Sequence, residues 1–239
     1  VNIEGAVVTI TDANGNVQTV SATDIVGSNG VIHGLEGVLL PASTIPEVAA
    51  LYGLSGLVDA AVLAELDDDL SGGSWTVFAP TNEVFATLPV DGEGNPVVVN
   101  PLLADILTYH AIAGDPIFAG DLVDGLVAEM ANGDFVTVNI AEGTGAVSLT
   151  DEFGNAVNVT STDIRASNGV VHVIDGLLTP SLNLVEVATL NGFTSLVDLA
   201  GEAELGEALT DPDANLTIFA PTNEAFGALT EVPSGEDLL

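Results

Sequence analysis

The side chains in this chain that could carry chemistry are few in kind. There are 35 acidic residues and one basic one, Arg165, for a formal charge of −34. Cysteine is absent, which removes thiol nucleophiles, disulfides and sulfur-ligated metals. No glycine-rich loop precedes a lysine, because there is no lysine. The histidines are His33, His110 and His172, and they show no His-x-x-x-His spacing. Carboxylates cluster at Asp67-Asp68-Asp69 and at Asp211 and Asp213. Acid and base work on a glycosidic bond needs two carboxyls facing each other in a cleft. No pair is singled out for that, and these runs read as solvated turns. Two further acidic turns, Asp12-Ala13-Asn14-Gly15-Asn16 and Asp151-Glu152-Phe153-Gly154-Asn155, offer oxygen ligands. Neither completes a calcium-loop spacing, and both read fully as hairpin turns. The expectation is no enzyme and no cofactor, with calcium or glycan binding as the alternative.

The charge balance narrows the partners. Charged residues make up 15% of the chain, and the missing charges are the basic ones. Such a surface repels nucleic acid and anionic membranes. With almost no cations of its own, its carboxylates must be solvated, hydrogen-bonded or neutralised by ions. Hydropathy is positive on average, yet the most apolar stretch, 45–66, is broken by Glu47, Asp59 and Glu65. No run reaches the 18 or so apolar residues of a membrane span. Asn158-Val159-Thr160 and Asn215-Leu216-Thr217 are glycosylation sequons, a short pattern that carries little weight.

The elements that position these residues occur more than once. TVFAPTNEVF at 76–85 returns as TIFAPTNEAF at 217–226, and TDIVGSNGVIH at 23–33 returns as TDIRASNGVVH at 162–172. His33 and His172 are therefore equivalent, and one whole unit holds only His110 and His172. A complete repeat runs over 42–180; the leading piece, 1–41, matches the end of a repeat and the trailing piece, 181–239, the start of one. Together the two pieces lack a counterpart of roughly 99–137. A partial unit cannot bury its own apolar face, so each calls for a neighbouring repeat or a neighbouring chain.

Within the repeat, Thr44-Ile45-Pro46-Glu47 has capping-box spacing, and Val48, Leu51, Leu54, Leu57, Val58, Ala61, Val62 and Leu66 follow at helical spacing. Gly53 and Gly56 are expected to divide this stretch into two helices. The plan returns at Asn183 to Leu205. Acidic turns at 67–74 precede a strand over Trp75–Ala79, stopped by Pro80, and Thr81 caps a short helix holding Phe85. Residues 89–98 read as a loop. Asn100-Pro101 opens a helix carrying Leu103, Ile106, Leu107 and His110 on one face, ended by Gly114. From Val127 the period changes to two, with turns at Asn132-Gly133, Gly143–Gly145 and Gly154-Asn155, and Ser167-Asn168-Gly169 leads into a last strand, Val170–Ile174. Helices first and an antiparallel meander later predict an α+β domain.

Three of these motifs carry a family resemblance. Thr76–Phe85 resembles the first signature of the fasciclin-like domain family. Tyr109-His110 resembles its central Tyr-His pair, and Asn168–Asp175 its second signature. The leading copy departs from the second signature, continuing after His33 as Gly34-Leu35-Glu36. The resemblance implies a twisted antiparallel β-wedge with a helical layer, in tandem repeat, and a non-enzymatic protein of adhesion and matrix contact, extracellular or on the cell surface. It marks Asp105, Ile106, Tyr109 and His110 as the candidate adhesion contact; the helical spacing of Ile106 and His110 also fits plain packing. The implied partners are copies of itself or neighbouring repeats, in a surface array or filament, and a cell-surface or matrix ligand. Nucleic acid and membrane insertion are not expected.

Overall fold

The computed structural model describes residues 2–4 and 7–228. Strands β1 (Asn2–Glu4), β2 (Val7–Thr11), β3 (Val17–Gly27) and β4 (Gly30–Leu35) form a four-stranded antiparallel sheet in the order β1-β2-β3-β4. Helices α1 (Ile45–Leu51) and α2 (Ser55–Leu63) follow, then α3 (Asp67–Ser71), β5 (Trp75–Pro80), α4 (Asn82–Phe85), α5 (Leu102–Thr108) and β6 (Ala111–Ala113). Strands β7 (Val127–Glu129), β8 (Phe135–Ile140), β9 (Val147–Thr150), β10 (Ala156–Ala166) and β11 (Gly169–Ile174) complete a seven-stranded sheet ordered β6-β5-β11-β10-β9-β8-β7. Helices α6 (Leu184–Leu190), α7 (Thr194–Glu202), α8 (Gly206–Thr210) and α9 (Asn223–Gly227) end the described chain.

The expected α+β fold is present, with one feature the period could not show. β5 and β11 pair in parallel, Trp75 opposite Gly169 through Pro80 opposite Ile174, while the other strand pairs are antiparallel. The two strands are joined by α4, α5 and the meander, a connection long enough to return the chain in the same direction. β5 thereby lies inside the sheet between β6 and β11 with both faces covered, which suits its largely apolar sequence.

Two buried clusters flank this sheet. One joins Ile45, Val48, Leu54 and Leu57 of the helices to Val77, Ile106, Ile164 and Val171. The other joins Phe78, Tyr109, Val136, Leu149, Ile174 and Leu178. Each large apolar side chain so buried contributes about 1.5–3 kcal/mol. The capping box expected at Thr44 is formed, with the Thr44 N–H donating to Glu47 Oε2 at 2.8 Å.

Several boundaries differ from the sequence reading. Gly53, at φ +76°, ends α1, but Gly56 lies inside α2, where a Cβ would come within 2.7 Å of the Phe85 ring. Close approach, not helix breaking, explains that glycine. The acidic stretch after Leu66 is not only turn: Asp67–Ser71 is α3, with three carboxylates in its first turn, where the helix dipole favours them. The helix holding Ile106 stops at Thr108, so His110 lies past its end, and Ala111–Ala113 is an edge strand before Gly114. Three residues are too few to show a period.

Candidate functional site

The Tyr-His pair sits where α5 turns into β6. The exit from the helix aims the two side chains into different parts of the interior. The Tyr109 hydroxyl donates to the Phe135 carbonyl at 2.7 Å and accepts from the Glu152 N–H at 3.2 Å, tying the start of β8 to the turn after β9. Burial, with the Asp151, Glu152 and Asp134 carboxylates nearby, holds its phenol well above the ordinary tyrosine range.

His110 is enclosed on all sides. Its Nε2 accepts from the Leu178 N–H at 3.0 Å, so the ring proton is on Nδ1, which donates to the Ile106 carbonyl at 2.7 Å. Burial pushes its pKa down to about 4, although the bond to Ile106 opposes that shift. The imidazole is a neutral two-ended brace between α5 and the segment leaving β11.

His172 has a similar part on β11. Its ring stacks on Phe78 with centroids 5.5 Å apart. Its Nε2 bonds the Ile117 carbonyl at 2.9 Å, and its Nδ1 lies 3.4 Å from the Asp163 N–H. Burial lowers its pKa, against the Ile117 bond and the Asp163 charge.

Of the four candidate contact residues, Ile106, Tyr109 and His110 are buried, and Asp105 is partly exposed. Asp105 accepts from Asn132 Nδ2 at 3.2 Å. A partner meeting this edge without opening the domain reaches Asp105 alone of the four. The arrangement can fix backbone segments; neither ring nitrogen of His110 is left to take a proton from a substrate.

The acidic turns fold as hairpins. Asp151 Oδ1 accepts from the Phe153 and Asn155 N–H groups, and Oδ2 accepts from Thr179 N–H. Asp12 does the same for Asn14, Asn16 and Leu40. Their oxygens are thus used by amides; burial acts to raise the Asp12 pKa, but the Asn16 side-chain amide and then the backbone N–H groups hold it below the usual carboxylate range. Among the described residues no group of three or more His, Asp or Glu is placed to hold a metal ion. Asp175 accepts from Asn158 N–H at 2.8 Å and Asn158 Nδ2 at 2.9 Å.

One residue with a larger structural part than its turn suggested is Asn168. Its Oδ1 accepts from Ile45 N–H at 2.9 Å, and its Nδ2 donates to the Leu70 carbonyl at 2.8 Å. It therefore clamps the start of α1 and the end of α3 onto the β10–β11 turn. The signal was present, since Ser-Asn-Gly occurs in both copies, but a turn accounts for Asn-Gly without any tertiary bond.

The repeat puts the same motifs in two settings. β3 and β4 reproduce β10 and β11, with matching irregularities, and Asp24 and Asp163 adopt the same left-handed backbone at φ 57° and 59°. The Gly34-Leu35-Glu36 departure leaves the backbone pairing intact: Glu36 N–H bonds Thr19 O at 3.0 Å, as Asp175 N–H bonds Asn158 O at 3.1 Å. The surroundings differ. β11 lies between β10 and β5, whereas among the described residues β4 pairs with β3 alone. His33, Ile32, Val31 and Ile25 are exposed, while His172, Val171, Val170 and Ile164 are buried. At the other end, 215–221 forms no strand, and Phe219 is 91% exposed against 1% for Phe78.

Comparison with known proteins agrees with these features. The Fasciclin domain model matches residues 52–180 and 191–237. Protein sll1483 of Synechocystis is 40% identical over 145 residues, covering 59% of this chain and 76% of that protein. Human periostin is 30% identical over 206 residues, covering 84% of this chain and 24% of its own length. The porcine transforming growth factor-beta-induced protein ig-h3 is 33% identical over 225 residues, 91% of this chain and 30% of that protein. This chain thus spans less than a third of the length of those two animal relatives. A solved fasciclin-domain pair from the insect cell adhesion molecule Fasciclin I shares the fold, with a TM-score of 0.50 at 21% identity, covering 78% of this chain and 67% of that one. The order of the three signatures, the Tyr-His brace and these matches together make the chain a member of the fasciclin domain family.

Proposed function

We propose that this chain is a non-enzymatic structural or adhesive protein of tandem fasciclin repeats, working outside the cell or at its surface. The observation that carries the reading is where the signature residues spend their hydrogen bonds. Tyr109, His110, Asn168, His172 and Asp175 all brace backbone segments of their own domain. The architecture is a rigid module that can be repeated, and its outer surface is left to make contacts. Family membership, and the adhesion molecule named for the solved relative, support the same view. Among the described residues no helix is long and apolar enough to cross a membrane.

The mechanism follows from repetition. Weak contacts, to copies of itself, to neighbouring repeats and to a cell-surface or matrix ligand, add through effective concentration. Where a partner meets the α5 edge, Asp105 is the side chain it touches, and the Tyr-His pair holds that edge in shape. The reading needs no cofactor: titration of calcium to millimolar levels is expected to give no heat above background. The net charge of −34 argues against nucleic acid and anionic lipid as partners.

Binding to matrix-coated surfaces tests the proposal. Beads carrying many copies of the chain are expected to be retained about a hundredfold more strongly than free chain. Equal retention of free and clustered chain would remove the multivalent mechanism, and no retention of either would remove the adhesive reading.

A further inference from the structure

One space inside the complete repeat is left unfilled. It measures about 160 Å³ and is bounded by Leu57 of α2, Leu70 of α3, Val77 of β5, Leu107 of α5 and Ala111 of β6. Protein interiors are close-packed, and voids larger than a water molecule are few. The residues explain this one. Val77 and Ala111 are cross-strand partners, so their side chains share a face of the sheet, and at Ala111 that face carries a single methyl group. A larger residue at 111 would close the space.

The walls are fixed before anything enters. Trp75 borders the space, and its indole Nε1–H donates to the Gly72 carbonyl at 2.8 Å and to the Asp69 carbonyl at 3.1 Å. Asn168 Nδ2 donates to the Leu70 carbonyl at 2.8 Å. These bonds tie α3 to β5 and to the β10–β11 turn, so the wall carrying Leu66 and Leu70 is held in place. A site formed in advance spares part of the ordering cost of binding.

The lining selects what fits. Its two neutral polar side chains are already bonded: the Trp75 indole as described, and Thr108, whose Oγ1 donates to the Ala104 carbonyl at 2.8 Å. A buried water needs two to four polar partners, so an apolar space of this kind stays dry and takes an apolar group. A cavity of about 150 Å³ holds a benzene-sized ring. Pockets for drug-sized ligands begin at roughly 300 Å³. One ring therefore fits, and a larger ligand does not. Asp69 is the one charged residue of the lining, and it is exposed, so it marks the solvent side. A chain of formal charge −34 repels anions and concentrates cations at such an opening.

We infer that this cavity binds a small arylalkylammonium, with one aromatic ring seated among Leu57, Leu70, Val77 and Leu107 and the ammonium at the Asp69 side, in contact with solvent. The site adds small-molecule binding to the module. It uses the interior of one complete repeat and does not rest on the adhesive reading.

Titration with 2-phenylethylammonium chloride, followed by the fluorescence of Trp75, tests it. A saturable change is expected. 3-Phenylpropanoate, of similar shape and opposite charge, should bind at least about tenfold more weakly. Ethylammonium, which lacks the ring, should give no change. Asp69→Asn should weaken the aryl ammonium about threefold, the scale of an exposed charge. Ala111→Leu should abolish binding while the unfolding transition of Trp75 is kept. In the unsubstituted chain, nuclear Overhauser contacts are expected from the ligand ring to the methyl groups of Leu57, Val77 and Leu107, and this measurement decides the location even where Ala111→Leu does not fold. No saturable change overturns the site. Equal affinity for 3-phenylpropanoate, or unaltered affinity in Asp69→Asn, overturns the assignment of an ammonium ligand. Binding that survives in a folded Ala111→Leu chain, or ring contacts to other methyl groups, overturns the location.

Discussion

Phe78 and Phe219 stand in nearly the same ten residues, TVFAPTNEVF and TIFAPTNEAF, and end in opposite environments. Phe78 is 1% exposed on a strand paired on both sides; Phe219 is 91% exposed in a segment with no strand. The short helix after each survives, because α4 and α9 are held by local bonds: Val84 N–H to the Thr81 carbonyl, and Ala225 N–H to the Thr222 hydroxyl. The Asn82 side chain bonds Gly53 and Gly56, and Asn223 repeats those bonds with Gly192 and Ser195. What is lost is the strand: among the described residues nothing pairs with 216–221 as β6 and β11 pair with β5. Local sequence specifies the helices of this repeat; a strand exists only where its neighbours do. β3 and β4 make the same point from the other side, since they keep their mutual register without β5 and leave their apolar residues uncovered.

The largest expected separation between the regions is at these phenylalanines. Phe78→Ala should destabilise the complete repeat by about 3–5 kcal/mol. Phe219→Ala should change monomer stability by less than about 0.5 kcal/mol. Trp75, the only tryptophan in the sequence, lies on β5 and reports unfolding of the complete repeat by fluorescence in denaturant. Similar losses at both positions would break the comparison.

Acid should sharpen it. The folded pKa of His110 is depressed to about 4, so the unfolded chain binds its proton first as pH falls. Stability from this group is complete above the unfolded value near 6.5 and is lost as pH drops toward 4, by roughly 3 kcal/mol in all. His172 is shifted in the same direction by burial and adds to the slope. Denaturant midpoints followed at Trp75 between pH 7 and 4.5 should fall with pH, and His110→Gln should flatten that fall. A flat profile in the unsubstituted chain would contradict the neutral brace.

Asn168→Ala leaves Ile45 N–H and the Leu70 carbonyl without their partner, at a cost of about 1–3 kcal/mol. Asn29→Ala should leave the monomer's unfolding unchanged. Among the internal braces the smallest loss is at Tyr109→Phe, which keeps the ring and removes one hydroxyl, for about 1 kcal/mol. It should lower the denaturant midpoint without weakening matrix retention if Tyr109 acts as an internal brace; a retained midpoint with lost retention would assign it to the contact.

Much of this was legible in the residues. The capping box at Thr44, the helical spacing to Leu66, the strand at Trp75 and the meander turns all express local preferences or short periods. The parallel β5–β11 pairing was not, because no local pattern records which distant strand lies alongside. β6 and α3 were too short to declare themselves. For the candidate site, Tyr109 and His110 were identifiable by resemblance. Their inward direction depends on α5 ending at Thr108, two residues short of His110, to which the apolar spacing ran. Asn168 looked complete as a turn residue, and its tertiary bonds required the α1 and α3 termini to be placed.

Hydrogen exchange on the dilute, monomeric chain is the most direct test that partners, not sequence, make the strand. The amides of Thr76–Ala79 should exchange orders of magnitude more slowly than those of Thr217–Ala220, which should approach unfolded-chain rates. Equal protection of the two segments in the monomer would contradict the account.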